Sequence, residues 1–396
     1  MDTRILKYIL AGLGVIVASM FGAYFIITHV NSYDKHINAG QRLSDNHKYY
    51  EAIVEFNKAI EIDPKKGIGY YKKGIPYDQL GEKDEALALY RKALELDPKL
   101  ERAHNNIGCI YLNREQYDKA LEEFSAALEL SPGFWAAFDN KGGVLRILGH
   151  GQEIMQDCDR IVALEPMDPE NHKCRADNLV WLRRYDEALK GYDKAVELYP
   201  GFYEARTARA RVLTYVGRGD EAVAETDKLV EDFPGLSEPY DLKGWVLYSM
   251  DKYEQAIPEF KTAMSFEDES PSPYLGYCYA NIRLGNYEPA IKELERLSKL
   301  NPSNRHTKVC MALALQKRGT GGDIEKAGVV LSGIVRDDPD DYCAAMTFAL
   351  QGNRDEMLRV LNTLREKSPW DLHTTKQSIV FEPYVDDPEF IDAIRI

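Results

Sequence analysis

Apolar residues recur at helical spacing along most of the chain, in pairs of stretches that are separated by short polar turns. Residues 101–132 show the pattern clearly, because two amphipathic stretches flank the turn Asn113, Arg114 and Glu115, and the second stretch ends at Pro132. Apolar residues at every third or fourth position form one face of a helix. Proline then ends the helix, since it disfavours helical geometry in the residue before it. The pattern predicts helical hairpins.

The beginning of the chain has a different pattern. The stretch from Tyr8 to Thr28 contains no charged side chain. A helix of that length spans about 31 Å at ~1.5 Å per residue, close to the ~30 Å of a bilayer's hydrocarbon core. A cleaved signal peptide is the alternative, but its apolar region is normally only about 7–15 residues long. We therefore expect a short tail at residues 1–7 and a single-pass transmembrane anchor at residues 8–30.

Two properties of this anchor stay open at the sequence level. Small residues spaced four apart, Gly14, Ala18 and Gly22, suit close pairing of two membrane helices and so a homo-oligomer, but such residues are also common in membrane helices generally. The basic residues flanking the span do not decide its orientation. Six cysteines and the absence of a glycosylation sequon favour the cytoplasmic side for the rest of the chain.

The hairpins repeat with a period of about 34 residues, a length typical of stacked helix–turn–helix units. Seven prolines lie on this period, with Asp268 in the one interrupted slot: Pro64, Pro98, Pro132, Pro166, Pro200, Pro234 and Pro302. A second row on the same period, ahead of these slots, is mostly alanine: Ala52, Ala86, Ala120, Ile154, Ala188, Ala222, Ala256 and Ala290. A single hairpin cannot bury its apolar face alone, so repeated hairpins must stack.

Small residues such as Gly108 and Ala120 allow the two helices of a hairpin to approach, and Phe124, one helical turn after the alanine, fills the space between them. This arrangement resembles the tetratricopeptide repeat family, with its A-x-x-x-F and closing proline. The resemblance implies an all-α solenoid over residues 31–369, with about ten hairpins in a right-handed superhelix. The ninth hairpin carries an insertion near Gly319, and residues 370–396 are expected to form a C-terminal capping helix and tail.

Composition and motifs argue against several functions. Fifty basic and 64 acidic side chains give a formal net charge of −14, whereas nucleic-acid binders need a basic surface. The sequence has no H-E-x-x-H metal motif, no G-x-x-x-x-G-K-[ST] phosphate loop and no G-x-S-x-G nucleophile elbow. We therefore expect no enzyme activity, no cofactor, no metal and no nucleic-acid partner.

The surface made by the first helix of each hairpin is the expected binding groove. Rows on the repeat period bring five apolar and aromatic residues onto one predicted patch: Trp245, Tyr248, Leu275, Tyr279 and Ile282. Charged residues are expected to flank it: Glu204, Glu238, Asp241 and Arg211. The alternative is that these residues form core, since aromatic stripes at helical spacing are often core. An acidic rim favours a protein or peptide partner with basic and apolar residues.

The sequence thus predicts a membrane-anchored scaffold that binds a partner segment in its groove. Two other functions remain open. The chain could be a structural assembly factor that associates with itself, or a non-catalytic subunit that positions substrate for a separate enzyme.

Overall fold

A computed structural model describes residues 32–266, 270–337, 341–367 and 378–394. These residues form helices and turns, with no β-strand among them. The predicted anchor at residues 8–30 and the small-residue row Gly14, Ala18 and Gly22 lie outside the described ranges. Among the residues that are described, none of the helices combines the length and the apolar character that crossing a bilayer requires.

The chain divides into two compact units, one ending at Pro166 and the other beginning at Met167. In the described part of the first unit, eight helices form four hairpins. They are α1 (residues 32–45), α2 (Tyr49–Ile62), α3 (Gly67–Gln79), α4 (Lys83–Leu96), α5 (Glu101–Asn113), α6 (Tyr117–Leu130), α7 (Trp135–Leu148) and α8 (Gly151–Leu164).

The described part of the second unit contains six further hairpins. Their helices are α9 (Pro169–Trp181), α10 (Tyr185–Leu198), α11 (Tyr203–Tyr215), α12 (Gly219–Asp232), α13 (Glu238–Ser249), α14 (Tyr253–Met264), α15 (Ser272–Arg283), α16 (Tyr287–Leu300), α17 (Arg305–Arg318), α18 (Asp323–Asp337), α19 (Tyr342–Leu350) and α20 (Arg354–Lys367). A 3₁₀ turn at Ile379–Tyr384 and the short helix α21 (Pro388–Ala393) follow.

A glycine of the first helix packs against an aromatic ring of the second helix in several hairpins. In the third hairpin, a Cβ atom on Gly108 would lie only 2.6 Å from the Phe124 ring, and Phe124 is fully buried. The same contact recurs in the pairs Gly40–Phe56, Gly74–Tyr90 and Gly244–Phe260. Small and aromatic residues therefore share one period because the same contact recurs: glycine has no side chain, and the ring of the second helix occupies the space.

The fourth hairpin replaces this fit with smaller side chains. Ile154 and Cys158 stand where other hairpins have alanine and an aromatic ring, and both are buried. No ring covers the corresponding glycine, Gly142, whose nearest neighbour is the end of the Arg146 side chain at 3.8 Å. The hairpin thus keeps its length but loses the ring-on-glycine contact.

The turns inside the first nine hairpins follow the same period as the helices. The backbone is left-handed at His47, Gly81, Glu115, Gly149, Arg183, Gly217, Asp251, Gly285 and Gly319. Glycine adopts this conformation without the steric cost that a Cβ atom brings. Four hairpins nevertheless use a residue with a side chain, so the turn is imposed by the packing of the two helices as well as by local sequence.

Two glycine substitutions distinguish the effect of backbone conformation on stability from the effect of steric room for a Cβ atom. Gly81 has a φ of +83° and Gly143 does not have a positive φ, while neither has an atom within 4 Å of its would-be Cβ. Gly81→Ala is expected to lower the free energy of unfolding by about 1 kcal/mol, because alanine is strained in the left-handed region. Gly143→Ala, inside helix α7, is expected to raise it by about 0.5–1 kcal/mol. Urea unfolding followed by circular dichroism measures both changes in the free energy of unfolding. Equal changes for the two substitutions would contradict a left-handed backbone at Gly81 and a helical one at Gly143.

The C-terminal residues pack onto the last hairpin of the second unit. Phe381 and Phe390 are fully buried, and their ring centroids are 5.6 Å apart. Asp387 caps α21 by accepting bonds from the backbone N–H groups of Glu389 and Phe390. The apolar end of the hairpin stack is therefore covered by residues 378–394.

Candidate functional site

The second unit contains a cavity of about 400 Å³ on the side of its first helices. Helices α11, α13, α15, α17 and α19 and the start of the 3₁₀ turn supply its walls. The lining residues are Arg211, Thr214, Tyr215, Asp241, Leu242, Trp245, Val246, Tyr248, Ser249, Ser272, Tyr279, His306, Tyr342, Met346, Ser378 and Ile379.

Repeat geometry explains why these side chains converge. Arg211, Trp245 and Tyr279 lie one repeat period apart and occupy the same place in three successive first helices. Ser272 and His306 continue the row of Glu204 and Glu238 in the same way. Because stacked hairpins present equivalent positions on one side, residues distant in sequence become neighbours in the cavity.

Trp245 is the centre of the aromatic part of the site. Its ring lies 5.6 Å from the Tyr248 ring and 5.4 Å from the Phe260 ring, both edge to face, and 6.5 Å from the Tyr279 ring. The indole N–H donates a hydrogen bond of 2.9 Å to Ser272 Oγ. Phe260 is fully buried beneath the tryptophan, so the indole is held by packing on one side and by a hydrogen bond on the other.

Asp241 carries the negative charge in the wall of the cavity. Its Oδ2 accepts a 2.7 Å hydrogen bond from Ser272 Oγ, whereas its buried Oδ1 has no hydrogen-bond partner in the described part of the chain. Burial raises the pKa of Asp241 to about 6, and the nearby Glu238 carboxylate adds to this, although the Ser272 bond, the Arg211 charge and the neighbouring Trp245 indole N–H oppose it. The carboxylate is therefore incompletely compensated.

The charged rim is largely paired with itself. Arg211 Nη2 donates to Glu238 Oε1 at 3.0 Å, and the Tyr203 hydroxyl donates to Glu238 Oε2 at 2.9 Å. Burial and the Glu238 carboxylate raise the pKa of Tyr203 above its ordinary value. Glu238 thus has partners on both oxygens, which leaves Asp241 as the carboxylate with an unsatisfied atom at this site.

The C-terminal residues form one side of the cavity. Ser378 and Ile379 line it directly, and Glu382 fixes the 3₁₀ turn through Arg283 Nη1 at 3.2 Å and Lys317 Nζ at 3.7 Å. The Tyr384 hydroxyl donates to the backbone oxygen of Ala349 at 3.2 Å. The turn is therefore tied to three first helices, α15, α17 and α19.

Five of the nine residues predicted from the sequence line the cavity: Arg211, Asp241, Trp245, Tyr248 and Tyr279. Glu238 lies at the rim through its bond to Arg211, and Glu204 is exposed but does not line the cavity. Ile282 is a correction, since it is 3% exposed and belongs to the hydrophobic core. Leu275 is partly buried against the same core.

Some lining residues were missed at the sequence level. Ser272 and His306 could have been found by extending the row of Glu204 and Glu238 by one and by two further periods. The inserted residues near Gly319 shift Tyr342 and Met346 off that period. Ile379 belongs to no repeat, so periodicity gives no signal for it.

The raised pKa of Asp241 has a consequence for stability. A carboxyl group whose pKa is about 6 in the folded chain and 3.8 otherwise binds its proton more tightly when folded, so ionisation destabilises the fold as pH rises through 6. The penalty is absent below about pH 4 and complete near pH 7. We expect Asp241→Asn to raise the free energy of unfolding at pH 7 by about 1–3 kcal/mol.

Comparing Asp241→Asn with the original chain across pH separates the effect of Asp241 ionisation on stability from the effects of the other ionisable groups at the site, which are Arg211, Glu238 and His306. The difference in stability between the variant and the original chain, measured by urea unfolding, should be largest at pH 7 and should shrink towards pH 4.5. A difference that is constant with pH, or a variant that is less stable at pH 7, would contradict an incompletely compensated carboxylate.

The described residues contain no group of His, Cys, Asp or Glu side chains arranged to hold a metal ion. His306 Nδ1 and Cys343 Sγ are 3.4 Å apart, but Cys343 is only 2% exposed, so its thiol is not presented to a ligand. Burial also raises the pKa of the Cys310 thiol, which disfavours the reactive thiolate. These two thiols are therefore poorly placed for nucleophilic chemistry.

Stacked two-helix repeats with a cavity on their first-helix side define an α-helical repeat protein. Family comparison identifies the repeat. A model described as TPR repeat matches residues 77–114, and models described as tetratricopeptide repeat match residues 101–134, 175–237 and 247–308. Segments of both units therefore match tetratricopeptide-repeat models, and such repeats serve as protein–protein interaction scaffolds.

Several solved structures resemble the chain at low sequence identity. A tetratricopeptide repeat protein from Parabacteroides merdae is 17% identical, with a TM-score of 0.48, over 63% of this chain and 99% of that one. Pseudomonas aeruginosa PilF is 23% identical, with a TM-score of 0.41, over 52% of this chain and 94% of its own. YrrB, described as having an unusual peptide-binding site, is 23% identical, with a TM-score of 0.31, over 55% of this chain and 95% of its own. No curated protein matches the chain.

Proposed function

We propose that this protein is a membrane-anchored scaffold that binds a segment of a partner protein in the cavity of its second unit. The observation that carries the proposal is the half-buried aromatic group Trp245, Tyr248 and Tyr279 around an open cavity of about 400 Å³. Pockets that bind small molecules or side chains have volumes of about 300–1,000 Å³ and mostly apolar walls with a few polar groups. The cavity meets both conditions.

The size of the cavity indicates how a partner would bind. A volume of about 400 Å³ accommodates one or two large side chains, and aromatic walls are typical of the residues that contribute most binding energy at interfaces. The partner is therefore an extended or helical segment that inserts one or two anchoring side chains. Contacts along the neighbouring first helices would then exclude water and set the register.

The chemistry of the walls favours a partner with basic and apolar residues. Trp245, Tyr248 and Met346 offer apolar contact area, and Asp241 contributes a negative charge that has no ion-pair partner within 4 Å in the described residues. Complementary charge steers a partner and rejects segments of like charge. An acidic segment would meet a carboxylate in a site of reduced solvation.

Residues 8–30 supply the membrane part of the proposal through their length and lack of charge. An anchor holds the binding unit near membrane-bound partners and so raises their effective concentration. Close pairing through Gly14, Ala18 and Gly22 would place two scaffolds side by side. Carbonate extraction of cell membranes tests the anchor: the full chain should stay in the membrane pellet, whereas release into the supernatant would refute it.

A peptide-display selection on the purified full chain tests the binding function. Random peptides are selected first on the original protein and then on a Trp245→Ala, Tyr279→Ala variant and on Tyr215→Ala, which changes an exposed residue at the cavity edge. Tyr199→Ala is the matched control, because Tyr199 is also exposed but does not line the cavity. All variants are checked for helical content.

We expect enriched peptides that bind the original chain and the Tyr199→Ala control, with at least tenfold weaker binding to the cavity variants. Equal binding to all variants would refute the cavity as the site. If peptides fail to enrich but the cavity variants change the oligomeric state of the chain, self-association is the function. If peptides bind the chain only when a separate enzyme is also bound to it, the chain is a subunit that positions substrate for that enzyme.

A further inference from the structure

We propose that the cavity of the second unit selects a single cationic group, an ammonium or guanidinium, which it holds between the Asp241 carboxylate and the rings of Trp245 and Tyr279. This inference rests on the proposed function and specifies the ligand group that the cavity recognises. It assigns selectivity to one residue inside the cavity rather than to the acidic rim as a whole.

The hydrogen bonds around the carboxylates single out Asp241. Glu238 already has Arg211 on one oxygen and Tyr203 on the other, and Glu204 does not line the cavity. Asp241 accepts a bond from Ser272 at Oδ2 and none at Oδ1 in the part of the chain that the structure describes. Oδ1 is itself closed to solvent, so a cation in the cavity would stabilise this half-buried carboxylate through its charge rather than by a direct bond to Oδ1.

The aromatic walls suit the same ligand. The faces of tryptophan and tyrosine attract cations through the negative charge of their π systems, and the Trp245 and Tyr279 rings are 6.5 Å apart on the cavity wall. Ser272 holds both partners in place, since it accepts from the Trp245 indole at 2.9 Å and donates to Asp241 at 2.7 Å. The carboxylate and the tryptophan are thus positioned relative to each other by one hydroxyl group.

The extent of the cavity limits the ligand to one or two side chains, of which one carries the cationic group. Ser378 and Ile379 of the C-terminal residues line one side of it, and Glu382 ties the same turn to Arg283 and Lys317. Phe381, fully buried beside Tyr342, holds the turn on α19. A ligand side chain or chain end therefore enters an open cavity of about 400 Å³ that the C-terminal turn walls on one side.

Acetylated and amidated peptides with apolar flanks and one central lysine, arginine, norleucine or glutamate probe this site on the full chain. Norleucine is the neutral counterpart of lysine and keeps its apolar stem. A fifth peptide has a free N-terminal amine and no other cation, which distinguishes a chain end from a side chain. Binding is measured by fluorescence anisotropy on the original protein, on Asp241→Asn and on Glu204→Gln, the matched control outside the cavity.

We expect a cationic peptide to bind the original protein and Glu204→Gln at least tenfold more tightly than the norleucine peptide, and the glutamate peptide to bind most weakly. Asp241→Asn should remove the preference and retain the norleucine affinity. Equal affinities for lysine, arginine, free-amine and norleucine peptides, or a preference that survives Asp241→Asn, would overturn this inference alone. If none of the peptides binds the original protein, the proposed function fails with it.

Discussion

Replacing Phe260 by alanine is expected to lower the free energy of unfolding of the second unit by about 3–5 kcal/mol, the cost of truncating a fully buried aromatic residue. The Phe260 ring is 0% exposed and lies between two first helices, where Cβ atoms on Gly244 and Gly276 would come within 2.6 and 2.4 Å of it. Neither glycine has a side chain that could fill the space left by the ring. The cavity created by the substitution therefore remains largely empty.

The matched control is Phe266→Ala, because Phe266 follows the same helix α14 and is 37% exposed. It should cost less than about 1 kcal/mol. Repeat arrays can unfold in parts, so the stability is read from hydrogen exchange of amides in α13, α14 and α15. A loss for Phe260→Ala as small as that of the control would show that the ring is not the element that holds these hairpins together.

Breaking the buried ion cluster of the sixth hairpin is expected to lower the free energy of unfolding by about 3 kcal/mol. Arg206 and Glu225 are 5% and 6% exposed and are joined by a 2.7 Å bond from Nε to Oε1. Arg206 also donates to Asp232 at 2.6 Å, and Arg209 donates to Glu225 at 2.6 Å. Arg206→Met removes one of the two guanidinium groups that pair with the buried Glu225 carboxylate. Arg209 alone then compensates this buried charge, and incomplete compensation is costly.

The double variant Arg206→Met, Glu225→Leu should recover much of this loss, since apolar residues of similar volume can replace a buried ion pair at little cost. Arg218→Met is the control, because the Arg218–Glu221 pair is exposed and should contribute less than about 1 kcal/mol. Urea unfolding measures all three. If the double variant is no more stable than Arg206→Met, the two residues do not act as a pair.

The fold could be predicted from the sequence because each repeated position has one physical requirement. A ring of the second helix needs a small residue opposite it, as at Gly108 and Phe124, so small and aromatic residues recur together. The sixth hairpin departs from this rule: it has Thr226 in the aromatic position, and the buried Arg206–Glu225 pair accompanies that change. Repeat positions compared one at a time do not show that two residues on different helices, such as Arg206 and Glu225, form a pair.

The candidate site was predicted less completely than the fold. Equivalent positions of the first helices gave Arg211, Trp245 and Tyr279, because stacking places them on one side. The same rule placed Ile282 on the surface, although it is buried in the hydrophobic core. Ile379 could not be predicted, since its place in the wall depends on how a segment outside the repeats packs against them.

Hydrogen exchange of the full chain with and without a cationic peptide selected by display tests the central claim most directly. If a partner segment binds in the cavity, exchange should slow in α11, α13, α15 and α17 and at residues 378–384, and Asp241→Asn should reduce this protection at peptide concentrations that do not saturate the variant. Protection confined to the first unit, or unchanged exchange across the second unit at saturating peptide, would contradict the account.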